Sequence, residues 1–322
     1  MKQERITSID WLRGIAALMV CIFPFSKGNT DYLSENNILK LLGSYGWAGV
    51  YIFFVISGYI IPYSLSKHHY SLAKFPAFFL RRFIRIEIPY ICSIILFLAS
   101  FYVVGLYTGE AYKINLISVF LHLFYLNIYF GYDWISPVYW TLAIEFQYYI
   151  VIGLIFTLLN TRNFSKYWLP FILLALSFFL KQEFLIFYYF PVFLVGISIF
   201  QYHQKLISKE YLYFLTTILF AIIYLRFGIV CASLVSITWL LILEQEIKIK
   251  YFHLGKISYS LYLVHVPFGG RLIGFSELFI QGDFIRTILI LVILVFTLFA
   301  SWLYWLVIEK PALKLSKQVK YH

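Results

Sequence analysis

The chain has 322 residues, 62% of them hydrophobic and 13% charged, with a mean hydropathy of +0.82 and a formal net charge of +11. Soluble domains carry roughly twice that share of charged residues, about 25%, so the composition excludes a water-soluble enzyme and predicts an all-α polytopic membrane protein. A bilayer core of about 30 Å needs roughly 20 apolar residues per crossing helix, and such stretches recur from end to end.

In chain order the apolar segments fall at 9–25, 46–65, 88–107, 116–129, 138–160, 167–180, 184–201, 211–225, 228–243, 257–275 and 284–308. Segment 116–129 is the weakest, being short for a crossing at about 1.5 Å per residue and interrupted by His122 and Asn127. If it lies in the interface or re-enters, about ten transmembrane helices remain, and both termini share one side. That side then carries eighteen of the 26 Lys and Arg and the opposite side seven, with Arg13 inside the membrane. The imbalance predicts cytoplasmic termini in a multi-pass plasma (inner) membrane protein. It also explains most of the positive charge through topology and anionic lipid, with no call for nucleic acid.

Cys21, Cys92 and Cys231 all fall within apolar segments, without the spacing of a metal site or a disulfide framework. The first segment carries Asp10 and Arg13 and no small-residue cleavage site, so it is expected to stay as a helix. No repeat or linker interrupts the chain, which reads as a single membrane domain over 1–322, with no appended soluble domain.

Chemistry is sought in the polar groups set among these apolar runs. Asp10 and Arg13 are one turn apart and can pair on one helix face, either as a local ion pair at the interface or as a polar entrance to the bundle. Glu145, in "VYWTLAIEFQYY", lies well inside its segment among aromatic residues and should face the bundle interior. "FFLRRFIRIEIPY" (78–90) places Arg81, Arg82 and Arg85 ahead of the third segment; Arg82 and Arg85 form a fork on one face suited to phosphates, though topogenic arginines would look the same. "SGY" (57–59) suggests a small-residue break in the second segment. His265 closes "ISYSLYLVH" and reads as a packing residue or a proton-handling one.

Six stretches in this order resemble the acyltransferase-3 family of integral membrane acyltransferases, of the sugar or glycoconjugate O-acyltransferase type: "SIDWLRGIAALMV", "GWAGVYIFFVISGYII", "FLRRFIRIEIPY", "YWTLAIEFQYYI", "ISYSLYLVHVP" and "YWLVIEKPALKL". The resemblance implies transfer of an acyl group, most often acetyl, from cytoplasmic acyl-CoA to a hydroxyl of an envelope or exported sugar. It implies no resident metal or cofactor, acyl-CoA being a co-substrate. Its partners would be acyl-CoA, the sugar acceptor and membrane lipid, with self-association into a homo-oligomer left open. Carried onto this sequence, the implied catalytic positions are Asp10, Arg13, Glu145 and Pro24. The acyl-CoA site takes Ser57, Gly58, Tyr59, Arg81, Arg82 and Arg85, and the acceptor site Trp140, Tyr259 and His265.

One position departs from the family. Its signature of Arg, ten residues and His begins here at Arg13 and ends at Pro24. Proline cannot carry a proton and removes a backbone N–H, so the resemblance implies impaired activity and a bend at the helix end. Glu145 or His265 could serve as the base instead. Two alternatives are a glycan or lipid-linked substrate transporter, since intramembrane Arg, Glu and His serve transport equally well, and an inactive acyl-CoA-binding relative.

Overall fold

The computed structural model describes residues 7–28, 32–109, 114–161, 163–244 and 254–320. Among them no strand occurs and thirteen α-helices follow in order. They are α1 (Thr7–Ser26), α2 (Ile38–Gly43), α3 (Gly49–Lys67), α4 (Phe75–Thr108), α5 (Leu116–His122), α6 (Tyr139–Leu159), α7 (Ser165–Phe179), α8 (Ile186–His203), α9 (Lys209–Leu243), α10 (Leu254–Val264), α11 (Arg271–Glu277), α12 (Asp283–Tyr304) and α13 (Lys310–Ser316). A π-helical turn, Val266–Gly270, joins α10 to α11, and another, Trp305–Glu309, joins α12 to α13.

This is an all-α membrane protein. Among the described residues seven stretches are long and apolar enough to cross a bilayer: Ser8–Ser26, Ile38–Lys67, Leu72–Leu106, Tyr139–Leu159, Ile186–His203, Lys209–Leu243 and Asp283–Ser316. The difference from about ten expected crossings has local causes. α7 is only 15 residues long. The segments expected at 211–225 and 228–243 are both present, as two helices within the long stretch α9 that meet at a kink at Gly228, whose φ of 82° is open to glycine and strained for other residues. The segment expected at 257–275 is divided by the π-turn into α10 and α11.

Segment 116–129 holds α5, seven residues long, and a single 3-10 turn, Asn127–Phe130. At about 1.5 Å per residue α5 is too short to cross. Of the charges used to orient the chain, Lys2, Arg5, Lys113, Arg162, Lys248 and Lys250 lie outside the described residues.

Two local expectations are corrected. Arg81, Arg82 and Arg85 lie inside α4 rather than ahead of it, because nothing between Pro76, well placed in the first turn, and Pro89 interrupts the helix. The break expected at Ser57–Gly58 is absent and α3 runs unbroken. Gly58 serves close approach instead: a Cβ there would lie 2.2 Å from the Phe193 carbonyl oxygen of α8, and one on Gly196 would lie 2.1 Å from the Val55 carbonyl oxygen. α1 stays helical past Pro24 to Ser26, whose hydroxyl donates to the Ile22 carbonyl at 2.9 Å.

The buried core centres on α3 and α8, which pack face to face with α1, α6 and α9 around them. α6 runs antiparallel to α4. Its first residue, Tyr139, meets Ser93 (2.9 Å between hydroxyls), Tyr149 lies under Arg82, and the Gly153 carbonyl accepts from Tyr70, just before α4, at 2.8 Å. The connection 114–138 therefore lies beside the later part of α4, where the Tyr90 hydroxyl donates to the His122 carbonyl at 3.2 Å.

Candidate active site

A cleft enclosing about 880 Å³, its open mouth included, lies between α1, α3, α4, α6, α10 and the Trp305–Glu309 turn. Its walls are apolar residues of α3, such as Phe53, Phe54 and Ile60, so the few polar groups stand out. They are three guanidinium groups, Arg13, Arg82 and Arg85, and two carboxyl groups, Glu145 and Glu309, together with Ser57, Thr141, Tyr149, Ser258, Tyr259 and Tyr262. Helical spacing brings them together: Arg82 and Arg85 stand at i, i+3 on α4, and Thr141, Glu145 and Tyr149 at i, i+4, i+8 on α6.

Glu145 is held from both sides. Ser57 of α3 donates to its Oε1 at 3.1 Å, and the Tyr149 hydroxyl donates to the same oxygen at 2.5 Å. The Tyr149 ring carries the Arg82 guanidinium at 5.6 Å from its centroid, and Phe78 flanks Arg82 at 5.8 Å. A carboxylate and a cation thus share one tyrosine.

Glu309, nearly buried at 7% exposure, accepts from the Ser260 hydroxyl at 2.5 Å and from the Ser260 N–H at 3.1 Å. Arg13 faces the same space. The charges that act on it are, strongest first, Arg85, Glu309, Glu145 and Asp10, and its Nε is buried without a hydrogen-bond partner. The expected Asp10–Arg13 ion pair is not formed among the described residues: Arg13 turns into the cleft toward the carboxylates of α6 and the last turn, and Asp10 is not part of the lining. With three cations against two carboxylates among the described residues the lining is net positive, and guanidinium forks suit phosphates.

The other expected residues divide. Tyr259 lines the cleft, but its hydroxyl donates to the Ile86 carbonyl at 2.9 Å, pinning α10 to α4. Tyr262 donates to the Val138 carbonyl at 2.8 Å and meets the Thr141 hydroxyl, pinning α10 to α6. Gly58 and Tyr59 face α8 instead of the cleft, because only Ser57 projects from that turn toward α6; the Tyr59 hydroxyl bonds His203 Nδ1 at 3.0 Å. Arg81 is half-buried outside the lining. His265 is fully buried beyond it, its Nδ1 bonded to the Leu261 carbonyl at 3.0 Å and its ring 6.5 Å from that of Phe25, the neighbour of Pro24. Pro24 itself does not line the cleft, and Trp140 lies on another face of α6.

A family model described as "Acyltransferase domain", the acyltransferase-3 family, matches residues 6–306. The chain belongs to this family. Comparison with curated proteins and with solved structures finds no match. As an acyltransferase-3 protein, the chain places six of its expected site residues, Arg13, Ser57, Arg82, Arg85, Glu145 and Tyr259, in one cleft. Glu309 was missed as a site residue: it lies in the stretch "YWLVIEKPALKL" beside Lys310 and Lys314, where a local ion pair would account for it. Glu87 was missed as well. It is 1% exposed, and Tyr125, Tyr90 and Tyr259 surround it.

Proposed function

We propose that this acyltransferase takes an acyl group, most simply acetyl, from acyl-CoA and passes it to a hydroxyl of a sugar or glycoconjugate. The observation that carries the reading is the cleft itself: a net-positive lining of three arginines, enclosed by apolar helices, with a positioned carboxylate inside it. Arg82 and Arg85 hold the phosphates of CoA as charge-assisted donors, and the pantetheine arm runs inward along the apolar wall of α3 past Ser57.

At the reacting centre the acceptor oxygen attacks the thioester carbonyl. A carbon–oxygen bond forms, the carbon–sulfur bond breaks, and the hydroxyl proton ends on the departing thiolate. Glu145, oriented by Ser57 and Tyr149, takes the proton from the acceptor, and Arg13 stabilises the charge that develops on the carbonyl oxygen. In relatives with histidine at the position of Pro24 that group would share the proton transfer; proline cannot, so this chain turns over slowly. The termini lie in the cytoplasm and the acceptor approaches from the far side of a plasma (inner) membrane.

The test is acetyl-CoA binding and acetyl transfer by detergent-purified protein, comparing the chain as it stands with Pro24→His. Acetyl-CoA should bind both equally, and the histidine form should turn over about a hundredfold faster, the scale of one general acid–base group. Equal rates would remove position 24 from the chemistry. Failure of acetyl-CoA to bind either form would overturn the reading.

A further inference from the structure

The cleft is not the only cavity that α6 lines. On an adjoining face Trp140, Ala143 and Gln147, at i, i+3 and i+7, border a second space of about 830 Å³. Its remaining walls come from the 114–138 connection, through Tyr125, Tyr129 and Trp134, from the turn into α8, through Glu183, and from α8 itself, through Tyr189. One helix therefore divides two cavities whose electrostatics differ. The cleft is net positive, whereas among the described residues the second lining holds a single exposed carboxylate, Glu183, and no Lys or Arg.

The second cavity is built of flat aromatic faces held at fixed angles. Trp140 lies against Tyr189 with ring centroids 5.5 Å apart and 34° between planes. Tyr129 meets Phe184 edge-on at 5.0 Å, and Trp134 meets His122 edge-on at 5.5 Å. The His122 ring is itself fixed, bonded to the Ser118 carbonyl at 2.6 Å and accepting the Ile135 N–H at 2.9 Å. Gln147 spends its amide on the turn that carries Glu183, donating to the Phe184 carbonyl at 2.8 Å and accepting the Ile186 N–H at 2.9 Å. These walls are set in advance, which lowers the cost of holding a ligand.

A pyranose ring has an apolar face of C–H groups and a rim of hydroxyls. Aromatic walls with a few polar groups at the edge match it, as amphipathic aromatic side chains do generally. A phosphate or carboxylate ligand would meet Glu183 without a compensating cation, and a lipid chain would leave that carboxylate without purpose. The partition toward the cleft also holds polar groups: Tyr125 lines the second cavity, Tyr259 lines the cleft, and the buried Glu87 carboxyl acts on both.

We propose that this second cavity is the acceptor subsite and that it takes a neutral or amine-bearing sugar ring, stacked on Trp140 and Trp134, with a hydroxyl or ammonium group on Glu183. The proposal rests on the transferase reading for the word acceptor, and on the cavity alone for the sugar. Trp140 precedes Glu145 by about 7.5 Å of helical rise and stands on another face of α6, so the stacked ring and the reacting hydroxyl belong to different units of one acceptor.

The test uses detergent-purified full-length protein with maltotetraose, N,N′,N″,N‴-tetraacetylchitotetraose, chitotetraose and a sialylated tetrasaccharide as probes. Binding is followed by saturation-transfer NMR, and acetyl-CoA binding is measured on the same samples. At least one neutral or amine-bearing probe should bind and the sialylated one should not. Tyr129→Ala, which alters a side chain 47% exposed and so leaves the fold intact, should weaken that binding about tenfold, as should Trp140→Ala, with partial recovery in Trp140→Phe. Glu183→Gln should remove any preference for the amine-bearing probe. Acetyl-CoA binding should persist in Tyr129→Ala. No binding by any neutral or amine-bearing probe, binding unchanged in both alanine variants, or preference for the sialylated probe overturns the proposal. Sugar binding lost in these variants, in a protein that never binds acetyl-CoA, overturns the transferase reading and leaves the sugar site standing.

Discussion

Tyr149 stands one turn after Glu145 on α6 and donates to its carboxylate at 2.5 Å while the face of its ring carries Arg82. One side chain thereby sets both the carboxylate assigned to proton transfer and a guanidinium assigned to CoA. Tyr149→Phe separates the two roles, since it keeps the ring and removes the donor. A hydrogen bond to a charged group is worth about 1.5–3 kcal/mol, so kcat should fall about tenfold or more while the KM for acetyl-CoA stays near its starting value. Tyr149→Leu should raise that KM as well. Steady-state kinetics in the faster of the parent and Pro24→His proteins distinguishes these outcomes; a KM effect alone in Tyr149→Phe would remove Glu145 from the chemical step.

Arg82 and Arg85 share a face of α4 and open into a cleft whose net charge is positive. Replacing either with alanine should weaken acetyl-CoA binding about 10- to 100-fold, and lysine should recover only part of it, because an ammonium cannot make the planar two-point contact with phosphate. Calorimetric titration of the purified variants measures this directly. Affinity for acetyl-CoA unchanged in both alanine variants would return these arginines to a purely topogenic role.

Much of this site is legible in the amino-acid sequence, for a physical reason: charge inside an apolar helix is costly, so Arg13 and Glu145 announce themselves against their neighbours. The Arg82–Arg85 fork follows from spacing alone. Other parts are hidden. Glu309 and Glu87 lie beside basic residues in the chain, where a carboxylate looks like a local counter-ion, and only the packing shows that Glu309 faces Ser260 and that Glu87 faces tyrosines. Small residues carry the least information: Ser57–Gly58 fits a break as well as it fits a tight helix contact, and the difference is decided by where α8 lies. The two faces of α6 could have been read, since Trp140, Ala143 and Gln147 fall on a different stripe from Thr141, Glu145 and Tyr149; what each stripe meets requires the fold. Hydropathy places the division between 211–225 and 228–243 where the Gly228 kink lies, but it does not show that a π-turn divides 257–275.

The contact between α3 and α8 yields a stability prediction independent of chemistry. A methyl on Gly58 would lie 2.2 Å from a backbone oxygen of α8, and one on Gly196 2.1 Å from a backbone oxygen of α3, so neither can be accommodated by moving a side chain. The helices must separate, and overpacking of this kind costs about 1–3 kcal/mol. Gly58→Ala and Gly196→Ala should each lower the melting temperature of the detergent-solubilised protein. Gly274→Ala on α11, where no atom lies within 4 Å of the added carbon, should leave it unchanged or raise it slightly. Equal melting temperatures across the three would mean that the two helices are not in close contact.

His122 makes the 114–138 connection sensitive to pH. Both ring nitrogens are engaged, Nδ1–H donating to the Ser118 carbonyl and Nε2 accepting the Ile135 N–H, and this arrangement exists only in the neutral imidazole. Burial, the larger influence, holds the group below its ordinary value of 6.5, against the opposing pull of the Ser118 carbonyl. Between that depressed value and 6.5 the unfolded segment binds more protons than the folded one, so stability rises with pH in that window. The contribution is present above 6.5 and is lost as the pH falls toward the depressed value. Hydrogen exchange at the Ile135 amide, corrected for its intrinsic rate, should therefore quicken between about pH 7.5 and about pH 5.5, while amides of the α3–α8 contact stay protected. His122→Gln should abolish the pH dependence by removing the titrating group. Since Trp134 leans on this ring, sugar binding at the aromatic cavity should weaken over the same range in the parent protein and not in the variant.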